Sequence, residues 1–189
     1  MKKAGGYAIK TSDNHQTGTD RIFEVFKKKL NSEPEIVINL QGDMPNIQPQ
    51  AISDLVSYMK EKKCDIGTLA SDFKSKNEMD DLNVVKVAVK EKFSKNTFLK
   101  ACDFLRANTN SAYNLYHHIG IYAFTNEALL RYVSLKRSKL ELERNLEQLR
   151  ALENNMSIHV GYIESSPLSV DTEEDLAEIK NLMEKNEQN

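Results

Sequence analysis

The chain has 189 residues, 40% hydrophobic and 29% charged, with seven glycines and four prolines, which fits one globular domain long enough to bury a core. Its 28 acidic and 26 basic residues leave a formal charge of −2 and no broad cationic face for nucleic acid. No apolar run approaches the roughly 20 residues that span a bilayer, MKKAGGYAIK lacks a secretory apolar core, and Cys64 and Cys102 read as free thiols of a reducing cytoplasm.

In chain order, Tyr7 to Ile9 reads as a short strand. Ile22, Phe23, Phe26 and Leu30 predict a helix over Thr19 to Leu30 that stops before Pro34. Ile36 to Leu40 is a strand, and Gln50 to Lys62 a helix with Ile52, Leu55, Val56 and Met59 on one face. Ile66 to Ala70 resumes as a strand, and Asp72 to Asp81 is a polar loop. Val84 to Val89 and Ile119 to Phe124 are β-branched or aromatic strands, with Phe98 to Phe104 paired to the first. Helices follow over Asn126 to Val133 and about Leu140 to Leu152, the second with Leu142, Leu146 and Leu149 inward. Ser157 to Ile163 is the last strand, and Thr172 with Asp175 opens the final helix as a capping box. The alternation predicts an α/β fold: a mostly parallel sheet with helices on both faces, and residues 84–124 as a mixed or antiparallel edge.

Several clusters carry candidate chemistry, and each also has an ordinary structural explanation. His15-Gln16-Thr17-Gly18-Thr19-Asp20-Arg21 sits where a helix begins, so its N–H groups and hydroxyls suit an anion or a ribose. Thr17 and Thr19 would equally serve as helix caps. Gln41-Gly42-Asp43 ends a strand, the place where open α/β sheets bind ligands, although Gly-Asp is also common turn chemistry. In Tyr116 to Tyr122, His118, Gly120 and Tyr122 alternate onto one face, toward either a ligand or a polar core. ERNLEQLR, Glu143 to Arg150, taken alone is a solvated helix face with mixed charges. Asp171 precedes the capping Thr172, where it favours the helix dipole. Asp43 and Asp171 at one sheet edge would alternatively offer Mg²⁺ the two carboxylates it needs beside water and phosphate oxygen.

The ordered set HQTGTDR, INLQGDMP, YHHIGIYAF, LEQLRALE and SVDTEEDL, from about Ala4 to Met183, closely resembles the 3-deoxy-manno-octulosonate (Kdo) cytidylyltransferases, or CMP-Kdo synthetases. The resemblance implies a Rossmann-like nucleotidyltransferase fold of the nucleotide-diphospho-sugar transferase type, a three-layer sandwich. It also implies transfer of a cytidylyl group from CTP to Kdo for lipopolysaccharide synthesis, with Mg²⁺ and a cytoplasmic homodimer. Residue by residue, Asp43 and Asp171 match the family's metal ligands and catalytic acids. His15, Thr17 and Gly18 match its nucleotide-contacting turn, and Gln41 lies between nucleotide and sugar. His118 and Tyr122 match the sugar-binding HxGxY strand, Glu147 and Gln148 the polar pair of EQLR, and Arg106 a sugar-side arginine.

The family also opens with a strand and a PARxxSxRLPxKxL loop that these 189 residues do not contain. The expectation is therefore a single domain, 1–189, lacking the first two βα units, about 60 residues, with 84–124 as the sugar-binding and dimerisation edge. Met44, Thr11 and the segment Asp103-Phe104-Leu105-Arg106 also depart from the family pattern. Two other readings stand beside this one: a cytidylyltransferase for another acidic sugar such as an acylneuraminate, and an inactive remnant or dimerisation module.

Overall fold

The structure is a computed structural model that describes residues 5–31, 33–95, 97–107, 112–170 and 172–187. Six strands, β1 (Ile36–Asn39), β2 (Ile66–Ser71), β3 (Lys86–Val89), β4 (Phe98–Leu105), β5 (Asn114–Thr125) and β6 (Ile158–Tyr162), form one sheet in the order β1-β5-β2-β6-β4-β3. The helices are α1 (Gly18–Lys29), α2 (Pro49–Lys62), α3 (Lys76–Asp80), α4 (Asn126–Ser134), α5 (Lys139–Arg144), α6 (Leu149–Glu153) and α7 (Glu173–Glu187).

Local chemistry explains most of these boundaries. Thr17, Ser75 and Thr125 cap α1, α3 and α4 by accepting a backbone N–H three residues on. Pro49 opens α2, and Lys63 ends it in the left-handed conformation. The expected capping box before α7 is present: Thr172 N–H donates to Asp175 at 2.9 Å, and Asp175 N–H to the Thr172 hydroxyl at 3.2 Å.

The sheet buries both faces. Ile119, Ile121 and Ala123 of β5 pack with Leu55 and Met59 of α2. Tyr116, Tyr122 and Phe124 turn the other way, onto Phe26 of α1, Leu129 and Tyr132 of α4 and Leu149 of α6. Helices on both faces of one sheet make the three layers expected.

The sheet is mixed rather than mostly parallel. β1, β2 and β6 run in one direction, but β5 inserts antiparallel between β1 and β2, so the only parallel pairing among the described strands is β2 with β6. Residues 84–124 are accordingly more than an edge. The N-terminal part of β5 pairs with β3, while its C-terminal part lies inside the sheet, with Ile121 and Ala123 fully buried. Because β3 pairs with both β4 and β5, the strands β5, β2, β6, β4 and β3 close into a ring of pairings.

Three smaller expectations are corrected. Tyr7 to Ile9 forms no strand: it has no paired neighbour among the described residues, Tyr7 is fully solvated, and an isolated short strand is marginal. The loop over 72–81 contains α3. The helix expected over 140–152 is two, because Asn145 adopts φ +53° and ends α5, which leaves Leu142 exposed and Leu146 and Leu149 inside. Both cysteines are free, as expected.

Gly161 of β6 marks the tightest approach. A Cβ there would lie 2.5 Å from the Phe98 ring and 3.1 Å from Leu69 Cδ2, and Phe98 is stacked on Tyr58 with ring centroids 3.8 Å apart. Gly161→Ala is expected to cost about 1–3 kcal/mol by overpacking, read as a lowered denaturant midpoint with an unchanged m-value.

Candidate active site

The site lies where β1 and β3 part company on β5. Both pair with the same edge of β5, but β1 ends at the Asn39–Tyr122 pair and β3 begins at the Lys86–His117 pair. Between them, residues 119–121 lack a strand neighbour on that side among the described residues, while the His118 N–H donates to the Val85 carbonyl, just ahead of β3, at 2.9 Å. On the other edge Thr68 pairs with Tyr122 and Leu69 with Ile119, so Gly120 and Ile121 form a bulge, a device that re-aims side chains beside functional sites. The gap opens a cleft of about 500 Å³ lined by Gln41, Asp43, Val85, His118, Gly120 and Ser169, among others. It is a switch point beyond a strand end, where α/β sheets take ligands.

Asp43 sits in this cleft with a buried Oδ1 that has no hydrogen-bond partner among the described residues. Its carbonyl accepts the Val170 N–H at 2.9 Å, which brings the SVDTEEDL segment to the same place. Asp171 itself lies outside the described residues. Gln41 donates to Asn39 Oδ1 at 3.0 Å. Gly18 abuts both: a Cβ there would be 3.3 Å from Gln41 Nε2 and 3.4 Å from Asn39 Nδ2. Thr17 caps α1 through Asp20, so the HQTGT turn and the QGD loop are neighbours. His15 is engaged elsewhere, against Glu24. The Ser12 N–H, with His15 and Lys28, holds the Glu24 carboxyl down to about 2.

His118 is buried, with Nε2 2.9 Å from the Thr68 hydroxyl and its ring 5.4 Å from that of Tyr122. Desolvation by full burial pushes its pKa down to about 3, helped by neighbouring His117. Tyr122, Glu147 and Gln148 meet at a small pocket beside Phe124 and Tyr132. Burial raises the Glu147 pKa, while the Thr19 and Thr17 hydroxyls act against that rise; one oxygen accepts the Thr19 hydroxyl at 3.0 Å. Glu147 and Gln148 thus leave the solvated face that the isolated helix suggested, because the break at Asn145 turns them inward.

Arg106 is placed one layer back. Its guanidinium donates to the carbonyls of Leu82 and Asn83 at 3.2 and 3.3 Å, and it reaches the cleft through Asn83, a lining residue.

With this geometry in place, comparison with known proteins is decisive. A family model described as cytidylyltransferase matches residues 1–158. The 3-deoxy-manno-octulosonate cytidylyltransferase of Bartonella quintana (strain Toulouse) is 42% identical over 184 residues, covering 95% of this chain and 74% of that protein. The chain belongs to the 3-deoxy-manno-octulosonate cytidylyltransferase family. The enzyme of that name from Afipia carboxidovorans is 44% identical over 184 residues, 96% of this chain and 73% of its own. A solved structure of CMP:2-keto-3-deoxy-manno-octonic acid synthetase complexed with CTP superposes with a TM-score of 0.82 at 32% identity, covering 98% of this chain and 75% of that one.

In this cytidylyltransferase chain, three supporting groups escape a reading of the sequence. Thr68 looks like any strand threonine, and Asn39 like the polar end of an apolar strand. Lys86 is fully buried, with Nζ held by the carbonyls of Asp81, Val84 and Arg106; only its place in the alternating KVAVK stretch hinted at burial. A further support is the buried pair Glu141–Arg150, at 2.8 and 2.6 Å, with the guanidinium 4.6 Å over the Tyr132 ring. Tyr132 in turn donates to the Glu147 carbonyl at 2.8 Å. The pair staples the turn that presents Glu147 and Gln148.

Two outcomes follow. Glu141→Ala leaves Arg150 buried and uncompensated and is expected to cost about 3–5 kcal/mol in a denaturant titration. His118 has a folded pKa below its unfolded value near 6.5, so the stability it permits is whole above pH 6.5 and is lost as pH falls toward 3. In His118→Gln the slope of unfolding free energy against pH should be shallower by about 0.7 kcal/mol per pH unit at pH 6.5, rising to about 1.4 by pH 5.

Proposed function

We propose that this chain transfers a cytidylyl group from CTP to Kdo, giving CMP-Kdo and pyrophosphate, and that Asp43 is central to the reaction. The observation that carries the reading is the cleft between β1 and β3, where a buried carboxylate oxygen without a partner among the described residues shares one cavity with Gln41 and His118. Family membership, at over 40% identity to enzymes of that name, supports the choice of nucleotide and sugar.

The Asp43 oxygen is the kind of group a Mg²⁺ ion would satisfy, since Mg²⁺ takes one or two carboxylates and fills its remaining positions with water and phosphate oxygen. Asp171 would be the second carboxylate by family resemblance, and Val170 bonded to Asp43 supports that pairing. When bound, the ion supplies neutralisation of phosphate charge and polarisation of the phosphorus under attack. The chain's own residues position the partners. Thr17 and Gly18, against Gln41, hold the nucleotide side, with His15 in the same turn. His118 and Tyr122 of β5 hold the sugar, together with Glu147 and Gln148, which meet Tyr122 at the small pocket, and with Arg106 behind. Orienting the sugar hydroxyl in line with the α-phosphorus supplies much of the acceleration, and no covalent enzyme intermediate is required. The family resemblance adds a cytoplasmic homodimer built in part on residues 84–124, which sedimentation tests. No described helix is long and apolar enough to cross a membrane.

The test is pyrophosphate release from CTP with Mg²⁺, with Kdo present or absent. Release is expected only with Kdo, and preference for an acylneuraminate would instead favour a different acidic sugar. Asp43→Asn is expected to slow turnover about 10²–10³-fold while leaving the melting temperature equal or higher, because it neutralises a half-buried carboxylate whose Oδ1 has no partner among the described residues. A variant that retained full Mg²⁺-dependent turnover would rule out the role given to Asp43.

A further inference from the structure

We propose that Thr68 is a positioning residue that holds His118 as the Nε2–H tautomer, so that the imidazole meets the sugar as a hydrogen-bond acceptor through Nδ1. The sugar half of this inference rests on the reading of the cleft given above.

The argument is a count of protons. The Thr68 hydroxyl, fully buried on β2, lies 2.7 Å from the Ile121 carbonyl, 3.2 Å from the Ile119 carbonyl and 2.9 Å from His118 Nε2. A hydroxyl has one proton to give and lone pairs with which to accept. Carbonyls only accept, so the proton goes to the bulge, where Ile121 is nearest. The imidazole nitrogen must then be the donor. Two carbonyls of one strand reach a single hydroxyl because the bulge at Gly120 and Ile121 folds them together. Thr68 therefore satisfies the bulge and fixes the ring in one contact set.

The ring's surroundings keep it neutral. Phe104 meets it edge-on at 5.0 Å, Tyr122 lies at 5.4 Å, and His117 is its neighbour along the strand. None of these is a carboxylate that would favour an imidazolium, and burial depresses its ionisation. A neutral ring donating from Nε2 presents a lone pair at Nδ1. His118 lines the cleft, so its partner there is a group with a proton to give. A sugar hydroxyl fits; the sugar's carboxylate, an acceptor only, does not, and must be bound by other groups.

The experiment is long-range ¹H–¹⁵N correlation NMR on the full chain labelled with ¹⁵N-histidine at pH 7, followed by titration with Kdo and separately with CTP. The expected spectrum shows His118 with a protonated-type Nε2 and an unprotonated-type Nδ1. Thr68→Val should mix the tautomers and weaken Kdo binding about tenfold or more, leaving CTP affinity within about twofold. Thr68→Ser, which keeps the hydroxyl, should restore both signals. An Nδ1–H or doubly protonated His118 in the wild type overturns the proposal, and needs no variant to fold. So does a Thr68→Val spectrum identical to wild type. The expected tautomer together with no Kdo binding by the wild type would instead overturn the functional reading and leave the tautomer assignment standing.

Discussion

The antiparallel insertion of β5 between β1 and β2 is the constraint on which the site depends. A strand entering a sheet of otherwise codirectional neighbours must be apolar on both faces, and the stretch Ile119 to Phe124 is. Its length then exceeds what β1 can cover, and the uncovered part is claimed by β3 farther along the same edge. The interval between them is the cleft. Strand lengths thus open the site and β5 gives it a floor from the sheet, while the loop after β1 and residues 166–169 supply its walls.

Rigidity matters because the site leaves polar groups unsatisfied. Asn39 Nδ2 and Asp43 Oδ1 are buried without partners among the described residues, and each such group costs about 1–3 kcal/mol. The surroundings offset this. Phe26, Tyr132 and Leu149 are fully packed beneath the Glu147 turn, and the Glu141–Arg150 pair staples that turn from behind. An orphan group held still by such packing is preorganised for a ligand, a trade of stability for function that folds concentrate at their sites.

Much of this was legible in the sequence, for identifiable reasons. Most strands and helices follow from periodicity and caps, whereas Gln-Gly-Asp alone reads as well as ordinary turn chemistry, and INLQGDMP gained its meaning from the other motifs of the ordered set. The direction of β5 was not legible: nothing local in YHHIGIYAF says which neighbours it will find, since pairing partners are set by the whole chain. The break at Asn145 was hidden because asparagine fits an amphipathic helix pattern as well as it fits the left-handed turn it adopts. Thr68 was invisible for a similar reason. Threonine is an ordinary strand former, and its hydroxyl gains meaning only from a bulge on a different strand.

Lys86 carries one more consequence. Its ammonium group is wrapped by three main-chain carbonyls, from the turn before β3 and from the residue after β4, with the Asp81 and Asp80 carboxylates near enough to favour its charge, so the wall of the cleft is tied by an enclosed cation. Dissolved salt screens exposed ion pairs far more than enclosed ones. The cleft wall should therefore hold its shape from dilute buffer to molar salt, and any loss of substrate affinity across that range would report on the ligand's own charges rather than on the protein coming apart around them.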